Sequence, residues 1–176
     1  MSKSKELQRK FLENFNFSFF DTCHSATPTK TVSLFAFLSE IRSGKAFGHH
    51  IQAVRQTSDK KGREALKKRT LPCVTISGVF APSRNKANLT NYSGLMQVDF
   101  DSLPDIDAQR ELLKKDGYTL AMFNSPSGNG LKLIVKTENQ PGQHETAFQE
   151  LKEYYKNSNK EAFFKRLDEA KTIFKK

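Results

Sequence analysis

Tryptophan is absent, so the aromatic part of any core falls to fifteen phenylalanines and four tyrosines. The two cysteines, Cys23 and Cys73, lie far apart with no CxxC pairing. That usage argues against a disulfide framework and against a cysteine-built zinc site. No window approaches the roughly 18 to 20 apolar residues needed to cross a bilayer. The opening "MSKSKELQRKFLENF" also lacks the apolar stretch of a secretory signal. A cytoplasmic protein with no membrane partner is the expectation. Glycine and proline are scattered as punctuation, without a repeat or a low-complexity tract. A chain of 176 residues is long enough to bury one core, and a single domain is expected over residues 1–176.

What is missing from the first half is acidic charge. Residues 1–94 hold 16 Lys/Arg against 6 Asp/Glu, whereas residues 95–176 hold 13 of each, so the whole net charge of +10 lies upstream. It is densest in "RQTSDKKGREALKKR", where Arg55, Lys60, Lys61, Arg63, Lys67, Lys68 and Arg69 face only two acidic residues. Arg84 and Lys86 follow in the next polar stretch. A patch of this kind favours a polyanion and gives salt-dependent binding, although a solvated helix face has the same composition.

The hydrophobic pattern reads as α+β. "NFSFFDT" has the aromatic content of a strand. From Thr31, "TVSLFAFLSEIRSG" repeats apolar residues at helical steps and can close at Gly44. A second helical stretch over roughly His49–Arg69 carries the basic cluster, with a break expected near Gly62. "LPCVTISGVF" reads as one strand and "APSRNKANLTNYSG" as a polar loop. In "GLMQVDFDSL", Met96, Val98 and Phe100 fall on one face, and Gln97, Asp99 and Asp101 on the other. "PDIDAQRELLKKDG" is a helix with acids first and lysines last, as the helix dipole prefers. "YTLAMFNS" and "LKLIVKT" are strands, and "GQHETAFQELKEYYKN" and "NKEAFFKRLDEAKTIFKK" are helices. This order suits a mostly antiparallel sheet with helices packed on it, of the ferredoxin-like or RNA-recognition arrangement, plus an N-terminal helical segment. It divides into a basic αβ segment (1–70), a sheet core (71–157) and a C-terminal helix (158–176).

Two features point to chemistry. Asp99 and Asp101, two positions apart on a strand, would project from one face and could hold a divalent metal against substrate phosphates. A strand end whose aspartates face water and cap the next helix is the plainer alternative. Ser127, Gly128, Asn129 and Gly130 could form a nest of backbone amides for an anion, with Lys132 two residues beyond. A tight turn between strands uses the same residues. The loop lacks P-loop spacing. His24, His49, His50 and His144 read as surface or helix-start residues, and no spacing points to a covalent nucleophile.

Taken in order, "LFAFLSEIRSGK", "LKKRTLPCVTISGVF", "YSGLMQVDFDSL", "FNSPSGNGLKLIVK" and the His144–Tyr155 stretch resemble the VirE N-terminal-type domain of Bacteroidetes and mobile elements. That family is similar to the primase–polymerase domains of the archaeo-eukaryotic primase superfamily. The resemblance runs from about Thr31 to Tyr155. It implies a DNA replication domain of a mobile element or phage that performs Mg²⁺- or Mn²⁺-dependent nucleotidyl transfer. Asp99 and Asp101 would then be catalytic metal ligands, and Ser127 to Gly130 with Lys132 would bind a nucleotide triphosphate. The implied partners are DNA, single-stranded or template, and a helicase supplied by another chain. The basic residues named above, from Arg55 to Lys86, would track the DNA backbone. A non-catalytic DNA-binding module with the same fold is the alternative. Such primases carry a third aspartate on a later strand. Here the only late candidate, Asp168, sits on a helical pattern.

Overall fold

Phenylalanine sets the first sheet. In a computed structural model, which describes residues 3–156, the helix α1 (Lys3–Glu13) leads into strand β1 (Asn16–Phe20), where Phe17, Ser18 and Phe20 are buried. β1 pairs antiparallel with β2 (Lys30–Ser33) on one side. The chain then turns straight into helix α2 (Leu34–Ser43), because the Ser33 side chain caps it by accepting from the Ala36 amide at 3.2 Å. The helix ends on Gly44 at φ 62°, as expected, but its first three expected residues belong to β2. Threonine and valine at positions 31 and 32 favour the extended backbone, and their pairing with Phe17 and Ser18 decides the matter.

The basic stretch forms two helices, α3 (Gly48–Gln56) and α4 (Lys60–Thr70). The break falls at Thr57–Asp59, not at Gly62. Asp59 accepts hydrogen bonds from the Lys61 and Gly62 amides and so starts α4. The "LPCVTISGVF" segment is also divided: β3 (Cys73–Thr75) completes the first sheet, in the order β2-β1-β3, and β4 (Gly78–Phe80) pairs with β5 (Leu89–Tyr92). β5 lies inside the stretch expected to be a polar loop, since its pairing partner supplies the order that its own composition does not.

β6 (Leu95–Phe100), α5 (Ile106–Leu113), β7 (Thr119–Asn124), β8 (Leu131–Lys136) and α6 (His144–Lys156) follow. The three strands are ordered β6-β8-β7, with β8 antiparallel to both neighbours. β6 and β7 therefore run the same way, joined through α5 with β8 inserted between them. This is a split β-α-β unit. Met96, Leu131, Leu133 and Val135 pack from the sheet against Leu113 of α5 and Ala147, Leu151 and Tyr155 of α6. The architecture is α+β with antiparallel sheets, as expected. The expected C-terminal helix over 158–176, with Asp168, lies outside the described residues.

By its internal contacts the chain forms two compact units. Unit 1 is the chain up to Ser93 together with Pro126–Gly128, and unit 2 is Gly94–Ser125 together with the chain from Asn129 onward. Among the described residues no helix is long and apolar enough to cross a membrane.

Candidate functional site

In unit 2, the register places Asp99 of β6 opposite Lys132 of β8, and Lys132 opposite Phe123 of β7. These side chains share the sheet face opposite to the one that packs on α5 and α6. The Lys132 ammonium donates to Asp99 Oδ2 at 2.7 Å, and Gln97 Nε2 donates to Asp99 Oδ1 at 2.8 Å. Each carboxylate oxygen of Asp99 thus has one donor. Lys132 is three-quarters buried and Asp99 is about half exposed, so the pair is partly shielded from solvent. The period of two that singled out the aspartates puts Gln97 on the same face, two positions from Asp99 on the same strand.

Asp101 is placed differently. β6 ends at Phe100, so Asp101 is the first residue beyond the strand and is exposed. Ser102 then takes φ 53°, a left-handed conformation uncommon for a serine, and the chain turns toward α5. It is Asp105, not Asp101, that caps α5, accepting from the Ala108 amide at 2.8 Å.

Gly130 is held by the hairpin itself. A Cβ on this residue would lie 2.2 Å from the Phe100 carbonyl oxygen, so only glycine permits the approach of β8 to the end of β6. The Ser125 amide donates to the Gly130 carbonyl at 2.8 Å, and the Leu103 amide to the Asn129 carbonyl at 3.0 Å.

Unit 1 contains the middle of the same loop. Arg55 of α3 donates from Nε to the Pro126 carbonyl at 3.3 Å, and Lys67 of α4 donates to the Ser127 hydroxyl at 3.4 Å. Gly128 has φ 82° and sits against the Arg55 guanidinium. Two basic residues expected on a DNA track therefore belong to the glycine loop expected to hold a triphosphate. An arginine and a lysine around a serine hydroxyl and a left-handed glycine form a set able to receive a phosphate.

The other basic residues divide by helix face. Lys61, Lys68 and Arg69 line a groove of about 590 Å³ with Glu64, Ala65 and His24. Lys60 is exposed on the first turn of α4, and Arg63 is half-buried. Lys86 is exposed on a short 3₁₀ turn. Arg84 donates to Cys73 Sγ at 3.2 Å and to the Cys23 carbonyl at 3.1 Å, with its guanidinium 5.1 Å from the centre of the Phe20 ring. Among the described residues no group of three or more His, Cys, Asp or Glu side chains is placed to hold a metal ion.

These features define an α+β domain with a split β-α-β sheet, a cross-strand carboxylate–ammonium pair and a basic helical segment. The chain belongs to the BT4734-like, N-terminal domain family, whose model matches residues 66–168. No curated protein and no solved structure matches it.

Proposed function

We propose that this chain is a primase–polymerase-like domain of a mobile element or phage replication system, acting on DNA by metal-dependent nucleotidyl transfer. The observation that carries the reading is Asp99 near the end of β6, paired with Lys132 on the sheet face opposite the one that packs on α5 and α6. That arrangement offers an acidic group and a cation to a phosphate-bearing ligand.

The donor set fits a divalent ion in part. Asp99 and Asp101 offer two carboxylates, and an ion such as Mg²⁺ or Mn²⁺ commonly takes its remaining ligands from phosphates and water. Held by Asp99 and Asp101, it would supply Lewis acidity toward phosphoryl oxygens. Lys132, released from Asp99, would balance phosphate charge. A lysine ammonium is a compact point charge with three donors, which suits binding a phosphate. In unit 1, Arg55, Lys67 and Ser127 would bind phosphate, and Lys61, Lys68 and Arg69 the DNA backbone.

A second reading, a non-catalytic DNA-binding module, is favoured by one observation: both oxygens of Asp99 are already engaged by Lys132 and Gln97. Labelled nucleotide incorporation on single-stranded template with Mn²⁺ separates the two. Incorporation by the wild type, lost in Asp99→Asn, is the expected result. DNA binding without incorporation would leave the second reading in place.

A further inference from the structure

The two cysteines that stand apart in sequence are neighbours in unit 1. β1 and β3 pair with Phe20 opposite Cys73, so the turn leaving β1 passes beside the residues entering β3. The Cys73 thiol faces the Thr22 carbonyl at 3.7 Å, and the Cys23 thiol faces the Leu71 carbonyl at 4.0 Å. Each thiol thus meets the backbone of the segment that carries the other cysteine. Both are free and half-buried. Arg84 spans the pair, bonded to one sulfur and to the backbone of the other cysteine, and is braced on Phe20. His24, the residue after Cys23, lines the basic groove on α4.

We propose that Cys23 and Cys73 form a thiol–disulfide switch, closed by small-molecule disulfides, that resets the turn carrying His24 and with it one wall of the basic groove. One cysteine thiolate attacks a sulfur of the small disulfide, whose S–S bond breaks and expels one small thiol. The second cysteine thiolate then attacks the protein sulfur of that mixed disulfide and expels the other. The protein gives up two electrons and two protons, and the small disulfide is reduced to two thiols. The strand register and the Arg84 bridge hold the Cys23 turn beside Cys73, and the Arg84 guanidinium supports negative charge developing on Cys73. Burial pushes the Cys73 thiol up, the neighbouring Cys23 sulfur adds to this, and Arg84 opposes it. Because the thiolate is the attacking form, closure quickens as pH rises above neutral.

The switch does not depend on the proposed enzymatic function, and its test uses no nucleic acid. The full chain is treated with oxidised glutathione at mildly alkaline pH, alkylated, and mapped without reduction. In parallel, the histidine ring protons are followed by NMR, with His24→Gln identifying the His24 signal. A Cys23–Cys73 linked peptide, loss of both free thiols, reversal by dithiothreitol and a shift of the His24 resonance are expected. That resonance should stay in place in treated Cys73→Ser, or in Cys73→Ala if the untreated serine variant departs from the wild-type spectrum. Glutathione on both cysteines without an internal link would overturn the proposal. So would links only between chains, or an internal link with the His24 signal unmoved.

Discussion

Unit 1 and unit 2 distribute packing and charge in opposite ways. In unit 2 one strand pair after another feeds a single cluster, and α6 alone buries Ala147, Leu151 and Tyr155. In unit 1, α1 and α4 have no buried residue, and α4 carries basic side chains on several faces. A helix that contributes little to a core is free to place its side chains for a ligand. The contrast teaches that the cationic surface sits on elements whose packing contributes least, while Asp99 sits on a sheet fixed by its core.

That comparison can be broken most severely in the unit 2 core. Leu133→Ala should cost about 2–5 kcal/mol, because β8 is the central strand and the site is fully buried. Chemical denaturation measures this. A loss below about 1 kcal/mol would mean that the cluster is looser than its burial implies.

The next largest effect concerns Asp116, a buried carboxylate that accepts from the Tyr155 and Tyr154 hydroxyls, from Thr119 Oγ1 at 2.8 Å and from the Tyr118 amide at 3.1 Å. Removing one donor in Tyr155→Phe should cost about 1.5–3 kcal/mol, the range for hydrogen bonds to charged groups. The pH dependence has a definite sign. Burial, and then the Asp116 carboxylate, push the Tyr155 phenol far above its ordinary value of 10.0. The folded chain therefore keeps a proton that the unfolded chain loses, so this stabilisation is complete below pH 10 and declines as pH rises beyond it. Urea titrations above pH 10 should show a shallower decline in Tyr155→Phe than in the wild type.

Charge removal sharpens the contrast from the other side. Replacing Lys61, Lys68 and Arg69 by Ala should reduce the slope of log affinity for single-stranded DNA against log salt by about 2. Replacing Lys114 and Lys115 in unit 2 should leave that slope unchanged. Equal effects from both sets would place the DNA track elsewhere.

The smallest stability effect is expected at Lys132. Partly exposed ion pairs contribute about 0–1 kcal/mol, so Lys132→Ala should melt close to the wild type while weakening binding of nucleotide triphosphate with Mg²⁺. Unchanged nucleotide affinity would remove Lys132 from the proposed site.

The sequence was most legible in unit 2. The alternation in "GLMQVDF" and the charge order of "PDIDAQRELL" are local signals, and the structure builds β6 and α5 on them. Unit 1 was harder because its strands are three to five residues long and owe their state to their pairing partners. β5 is the clearest case: "LTNY" has little strand character until Gly78–Phe80 lies beside it. The candidate site was legible as residue types, but not as partners. Nothing local showed that Arg55 and Lys67 would meet the glycine loop, or that Arg84 would serve two cysteines. Nor did the motif show what each glycine is for: Gly128 takes φ 82°, and Gly130 lies against the Phe100 carbonyl.

The bond between Lys132 and Asp99 has a thermodynamic consequence. An anion that recruits the ammonium leaves a carboxylate without its counter-charge, and a cation that recruits the carboxylate leaves an ammonium in the same position. Either ligand alone must meet the cost of an orphaned partner, whereas the two together satisfy both. Occupancy by one would therefore raise affinity for the other, and by reciprocity the enhancement is the same in both directions. A single cross-strand ion pair would thus make the proposed site respond to an anion and a cation jointly.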